Sequence, residues 1–281
     1  MFKTFKKFKS FKPISNSVKR YDAGKGKPAM KHRSCSNRNH RVLCDLAVII
    51  AFAVAFGTVP LSAYAQPATT ASPMKIGIVG SGNIGSTVGT LWVKAGHQVL
   101  FSSRHPENLK QLIADLRPLA RAGTVEDALS FGDVVFIGVP YGAYPQLGKD
   151  YAKQFVGKIV LDAGNAVLAR DGEIAKPARE NGVALTSAKL LTGARIVRAF
   201  NIMSFRKVAS FANRPEPRIA MPIAGDDPQA LKVAARLVRD AGFDPVEVGS
   251  LQRSKLFEQG GPLYGAEMSA QEMRERLKTL P

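Results

Sequence analysis

Cysteine is nearly absent. The 281-residue chain has two, Cys35 and Cys44, so residues 66–281 can form no disulfide and hold no thiol nucleophile. Acidic residues are few, 22 against 40 Lys+Arg, but the imbalance is uneven. Residues 1–65 carry 13 of the basic residues and only Asp22 and Asp45 on the acidic side, which leaves a net charge of +7 beyond them. That remainder has no basic patch interleaved with aromatics, so nucleic acid is not an expected partner. Long apolar runs are missing too. The longest, 46–57, falls short of the roughly 20 residues a membrane-spanning helix needs. No metal-ligand cluster and no Ser-x-x-x-Tyr-Lys arrangement stands out.

The short apolar run has a context of its own. Arg33, Arg38 and Arg41 precede it, and Pro60 and Ala63-Tyr64-Ala65-Gln66 follow. A basic region, an apolar core and a small-x-small site form the order of a secretory signal. Cleavage is expected after Ala65. The chain then divides into a basic leader and signal peptide (1–65), a linker (66–73) and a folded domain (74–281). An operating leader makes the protein periplasmic or secreted, with no stable membrane span after cleavage. An uncleaved anchor reaching Leu61 is the other membrane reading. Translation from Met30 would give a leader of ordinary length, and a start near Met74 would leave the protein in the cytoplasm.

The domain is organised around residues 75–106. Ile76, Ile78 and Val79 read as a buried strand, followed by Gly80-Ser81-Gly82-Asn83-Ile84-Gly85. A helix with Val88, Leu91, Trp92 and Ala95 comes next, stopped by Gly96, and Val99 to Phe101 make a second strand. Strand, Gly-x-Gly-x-x-Gly, helix and strand is the dinucleotide-binding order. The first glycine permits the turn, the second admits a pyrophosphate, and the third lets helix and strand pack. The helix N-terminus adds free N–H groups and partial positive charge. An NAD site usually has an acidic residue after the second strand. Here stand Ser102, Ser103, Arg104 and His105, with no carboxylate before Glu107. Hydroxyls and a guanidinium suit a phosphate monoester, so the expected nucleotide is NADP(H).

Further strands are expected at 120–122, 133–139, 158–162, 196–199, 218–224 and 245–248. Helices are expected at 106–116, 124–129, 143–155, 228–241 and 269–278. The fold class is α/β, a Rossmann-type doubly wound, mostly parallel sheet with helices on both faces. Ligands of such sheets sit beyond the carboxyl ends of the strands. That places Val139, Pro140 and Tyr141 beside the cofactor, although Tyr141 taken alone reads as well as residue following a strand-ending proline. Asn165 reads equally as a ribose or substrate contact and as a turn cap. Asn201 ends the sixth strand at the same edge. Asp226 and Asp227 read as caps of the helix from Pro228. His97 lies away from the ligand edge and reads as structural, whereas His105 would bind and not catalyse.

Together G-S-G-N-I-G, S-S-R-H-P, V-P-Y, V-R-A-F-N, A-G-D-D and G-G-P-L-Y-G resemble the NADPH-dependent reductases of the deazaflavin coenzyme F420, over residues 74–265. The nucleotide-binding domain of six-transmembrane metalloreductases is similar in its S-R and A-F-N elements. The resemblance implies hydride transfer between NADPH and a flavin-like acceptor. It implies that residues 80–85 hold the pyrophosphate and that Ser103 and Arg104 hold the 2′-phosphate, with Ser102 and His105 beside them. Pro140 and Tyr141 would flank the cofactor, and Ala199 and Asn201 would line its nicotinamide end. The acceptor would be a small molecule, coenzyme F420 or a flavin, and a homodimer is left open. Two other readings stand beside this one: an NADP(H)-binding sensor or partner subunit without turnover, and a small imine or keto-acid reductase using Tyr141 as proton donor.

Overall fold

The computed structural model describes residues 72–281; the leader and most of the linker lie outside the described residues. Eight strands run in the order β1 Lys75–Val79, β2 Gln98–Ser102, β3 Ala120–Gly123, β4 Val134–Ile137, β5 Ile159–Asp162, β6 Arg195–Arg198, β7 Ala220–Gly225 and β8 Asp244–Gly249. They form one sheet, β3-β2-β1-β4-β5-β6-β7-β8. All neighbours are parallel except β6 and β7.

Register matters most for function. Val79 pairs with Ser102 on one side and Ile137 on the other, Ile137 with Asp162, and Asp162 with Arg198. Five strands therefore end in one row. At a strand spacing of about 4.8 Å that row is roughly 19 Å long, enough for an extended dinucleotide.

Period-two alternation sends side chains from each strand to two cores. Ile76, Ile78, Val134 and Phe136 face one core, which holds Val88 and Trp92 of helix α1 (Asn83–Lys94). Val79, Val135 and Ile137 face the other. The remaining helices are α2 Lys110–Asp115, α3 Val125–Phe131, α4 Tyr144–Asp150, α5 Ala152–Phe155, α6 Leu168–Asp171, α7 Ala175–Asn181, α8 Val183–Leu190, α9 Phe205–Phe211, α10 Pro228–Asp240 and α11 Ala270–Lys278. Trp92 fastens the first core: its indole N–H donates to the Leu237 carbonyl of α10 at 2.7 Å. Its ring meets Phe136 and Phe200 edge to face.

Local chemistry starts several helices as the sequence predicts. Thr124 with Asp127 and Ser269 with Glu272 form capping boxes, each satisfying otherwise orphaned N–H groups. Asp227 caps α10 by accepting from the Ala230 N–H at 2.7 Å. Asp226 does not share that cap; its carboxylate accepts from the Leu251 N–H at 2.9 Å. The helix expected at 106–116 begins as a 3-10 turn, Pro106–Leu109. The helix expected at 143–155 breaks at Tyr151 into α4 and α5. His97 is structural: buried, it accepts from the Met74 N–H at 3.0 Å and bonds Asp240 at 2.9 Å.

Candidate cofactor site

The three glycines of the turn do different jobs. Gly80 has φ 94°, and a Cβ there would lie 2.4 Å from Val139 Cγ1. A Cβ on Gly85 would lie 2.1 Å from the Gly80 carbonyl oxygen. Both are glycines because the fold needs them. Gly82 is different: its φ of −74° suits any residue, and a Cβ would meet nothing within 4 Å. The protein leaves space at Gly82 that its own packing does not require.

That space lies at the start of α1. No side chain caps this helix and no acidic residue lies in its first turn, so the N–H groups of Asn83, Ile84 and Gly85 have no acceptor within the helix. Ser81 adds a buried hydroxyl without a partner. Such an N-terminus favours an anion, and the pyrophosphate of a dinucleotide fits it.

At the end of β2 the structure separates the two serines. Ser102 is fully buried and its hydroxyl donates to the Ile78 carbonyl at 2.8 Å. It is tied into the sheet and does not reach a nucleotide, a correction to its expected place in the phosphate site. Ser103 points outward and accepts from the His105 N–H at 3.0 Å, keeping its own hydroxyl hydrogen free to donate. Arg104 is exposed and has no partner among the described residues. His105 is exposed and pairs with Glu107 at 3.1 Å.

Beyond the turn, the row of strand ends encloses a cleft of about 380 Å³ lined by Gly82–Ile84, Gly138–Pro140, Ala163–Asn165, Arg170, Phe200, Asn201 and Met203–Phe205. Val139, Pro140, Asn165 and Asn201, expected at the ligand edge, line this cleft. Tyr141 and Ala199, expected beside the cofactor too, are not among its lining. Ala199 is fully buried behind the wall. Tyr141 is buried, stacked on Tyr144 at 4.6 Å, with its hydroxyl 3.3 Å from the Val183 carbonyl. Burial pushes that hydroxyl well above the ordinary tyrosine range. Its hydroxyl is thus turned to the Val183 carbonyl and is not among the groups that line the cleft.

Beneath the cleft lies a polar cluster that the sequence reading missed. Arg198 and Asp162, both fully buried, form an ion pair at 3.1 Å. The Tyr144 hydroxyl donates to Asp162 at 2.6 Å. Arg198 also donates to Asn165 Oδ1 at 3.0 Å, while Asn165 Nδ2 donates to the Asn201 carbonyl at 2.8 Å. Asn165 thus binds the ends of β5 and β6 together, the turn role extended across two strands. Arg170 reaches back to the Asn165 carbonyl at 2.6 Å and is held by a two-pronged contact with Asp171. Asp171 accepts in addition from the Gly142 and Val167 N–H groups. Its burial favours the neutral acid, but these donors outweigh that and hold the carboxyl below its usual range.

Glycine turn, aligned strand ends and the arginine after β2 define a dinucleotide-binding domain of the Rossmann class. Residues 75–166, about a third of the chain, match the family described as NADP oxidoreductase, coenzyme F420-dependent. It is similar to metalloreductase STEAP3 of Rattus norvegicus, 30% identical over 184 residues, covering 64% of this chain and 35% of the rat protein. It is also similar to the F420-dependent NADP reductase of Methanocaldococcus jannaschii, 25% identical over 206 residues, covering 68% of this chain and 90% of that one. The crystal structure of a hypothetical protein from Sinorhizobium meliloti superposes with a TM-score of 0.60 at 28% identity, over 70% of this chain and 95% of the other. The chain spans about a third of the length of the metalloreductases it matches.

Proposed function

We propose that this protein is an NADP-dependent oxidoreductase that passes hydride between NADP(H) and a flavin-like or deazaflavin acceptor. One observation carries the nucleotide choice: a partnerless Arg104 and a donor-ready Ser103 follow β2 where an NAD site would place a carboxylate.

Bound NADPH supplies the hydride. The chain supplies position: the open space at Gly82 and the uncapped start of α1 receive the pyrophosphate, and Ser103 and Arg104 receive the 2′-phosphate. Ile84, Val139, Pro140, Phe200, Met203 and Phe205 give the cleft apolar walls suited to planar rings and to water exclusion. Arg170 is the one titratable side chain among the cleft's described lining, and Asp171 holds it. A lining without a free acid or base suits transfer between two rings that carry their own chemistry. It suits a small ketone or imine, which needs a proton donor, poorly.

The test is a titration of residues 66–281 with NADPH and NADH, for the natural sequence and for Arg104→Ala. Loss of a charge-assisted phosphate contact of about 1.5–3 kcal/mol should weaken NADPH roughly 10- to 150-fold and NADH little. Equal losses would refute the phosphate assignment. NADPH oxidation is then followed with deazaflavin, flavin and ferric acceptors. Binding without turnover on any of them would point to a nucleotide sensor.

A further inference from the structure

Among the described residues lining the cleft, Arg170 of α6 is the one cation, and it is firmly mounted. Its three hydrogen bonds leave from one edge of the guanidinium: Nε to Asp171 Oδ1 at 2.8 Å, Nη2 to Asp171 Oδ2 at 2.7 Å, and Nη2 to the Asn165 carbonyl at 2.6 Å. Nη1, on the other edge, meets no acceptor among the described residues. Asp171 is itself gripped, its side chain 1% exposed and accepting from the Gly142 and Val167 N–H groups at 3.1 and 2.8 Å. The pair is a fixed dipole whose negative end is covered, while the Arg170 side chain is 46% exposed. A donor set in place before any ligand arrives costs no reorganisation when charge develops beside it.

Its place in the row decides what it can meet. Asn165 follows the end of β5, two strands and roughly 10 Å along the row from β1. A pyrophosphate at Gly82 lies away from Arg170, and the reacting rings lie toward it. The amides at that end are engaged: Asn165 Nδ2 donates to the Asn201 carbonyl, and Asn201 Nδ2 to the Phe257 carbonyl. Nη1 is left as the strongest donor there. When a flavin or deazaflavin ring takes hydride, the C4–H bond of the dihydronicotinamide breaks and a new bond to hydrogen forms at N5 or C5 of the ring. NADPH is oxidised to NADP⁺, and the ring keeps the electron pair as an anion with its charge gathered on the N1–C2=O edge, to be protonated by solvent afterwards. The oxidised ring is neutral there. A guanidinium facing that edge therefore favours the transition state over the ground state, which is the difference that raises a rate.

We propose that Arg170 Nη1 donates to the N1–C2=O edge of the acceptor ring and stabilises the negative charge that arrives with the hydride. This rests on the function proposed above and deepens it by assigning a catalytic residue on the acceptor side. The natural protein is compared with Arg170→Gln, checked for folding by thermal unfolding. Stopped-flow single turnovers with NADPH and riboflavin should slow on the order of 10- to 150-fold, the size of one charge-assisted hydrogen bond. The calorimetric Kd for NADPH should move less than about threefold. A second readout involves no turnover. With tetrahydro-NADP, which gives no hydride, in the nucleotide site, reduced riboflavin is titrated anaerobically with acid and followed by absorbance. The natural protein should keep it anionic up to a proton concentration about tenfold higher than water does, and Arg170→Gln should not. An NADPH affinity that falls as far as the rate places Arg170 on the nucleotide and overturns the proposal. So does a rate loss with FMN but not riboflavin, the mark of a contact to the phosphate tail. Unchanged rates with an unchanged acid titration overturn it as well. Failure of the natural protein to bind NADPH, or to reduce riboflavin, FMN or a deazaflavin, overturns the function proposed above and this assignment with it.

Discussion

Gly82→Ala separates what the fold needs from what the ligand needs. In the protein alone the new methyl meets nothing within 4 Å and φ stays at −74°. Alanine is a poorer N-cap than glycine by somewhat less than about 1 kcal/mol. Against this, it restricts the unfolded chain, a gain of about 0.4–1 kcal/mol. The two nearly cancel, so stability should stay within about 1 kcal/mol of the natural protein. Binding should not. The methyl would stand where a pyrophosphate approaches the backbone, and loss of one or two charge-assisted N–H contacts, each about 1.5–3 kcal/mol, weakens NADPH by at least roughly tenfold. Gly85→Ala is the contrast: with its Cβ 2.1 Å from a backbone oxygen, it should lower both stability and affinity. Urea unfolding and calorimetric titration of the two variants decide the matter. Natural affinity for NADPH in Gly82→Ala would refute the reasoning, because the space at Gly82 would then hold no phosphate.

Tyr141→Phe removes a buried hydroxyl facing the Val183 carbonyl; stability should fall by about 1 kcal/mol and NADPH oxidation rates should not change, and a tenfold rate loss in steady-state assays would restore Tyr141 as a proton donor. Asp171 is held below its usual range in the folded protein, so its contribution is full above the unfolded value of about 3.9 and is lost as pH falls through the lower folded value. Asp171→Asn should therefore lose at neutral pH what the natural protein loses only in acid, and thermal unfolding from about pH 6 to pH 3 should show a flatter acid limb; identical pH profiles would sink the strap between Arg170, Gly142 and Val167. The leader predicts cleavage after Ala65, so mass analysis of the exported chain should find Gln66 at its N-terminus, and a chain retaining residues 1–65 in the cytoplasm would refute export.

Most strands were legible because they are apolar runs closed by a residue that ends them, such as Pro140 after β4 or Asp162 in β5. The helices between 168 and 190 were not. Their buried residues are mostly alanines, Ala175, Ala178 and Ala184, whose small side chains give little apolar periodicity. Pro177 and Gly182 add signals that read as breaks. The start of α8 has no local cap at all. Glu258 caps it from 75 residues away, accepting from the Val183 N–H at 2.9 Å and the Ala184 N–H at 3.0 Å. No window of sequence contains both partners, so no local rule could have found it.

Around the cleft, sequence spacing gives positions along the strands but not which way each side chain turns. Alternation along β2 already implied that Ser102 turns inward if Ser103 turns out, and a strict period-two count would have released Ser102 from the phosphate site. Tyr141 opens a 3-10 turn, where no such count holds. The Arg198–Asp162 pair shows what strand pairing adds. Each alone is a charge ending an apolar run; the register that sets Asp162 opposite Arg198 makes them partners. Their mutual neutralisation has a directional consequence. Asp162 cancels Arg198, and Asp171 cancels Arg170, so the β4–β6 end of the cleft carries no free charge. Unbalanced positive potential remains at the start of α1 and at Arg104, both on the β1–β2 side. A dinucleotide has its charge in its phosphates and a largely apolar ring at its other end, so under the proposed function it would enter in one orientation: phosphates toward β1 and β2, reactive ring toward the end of β6.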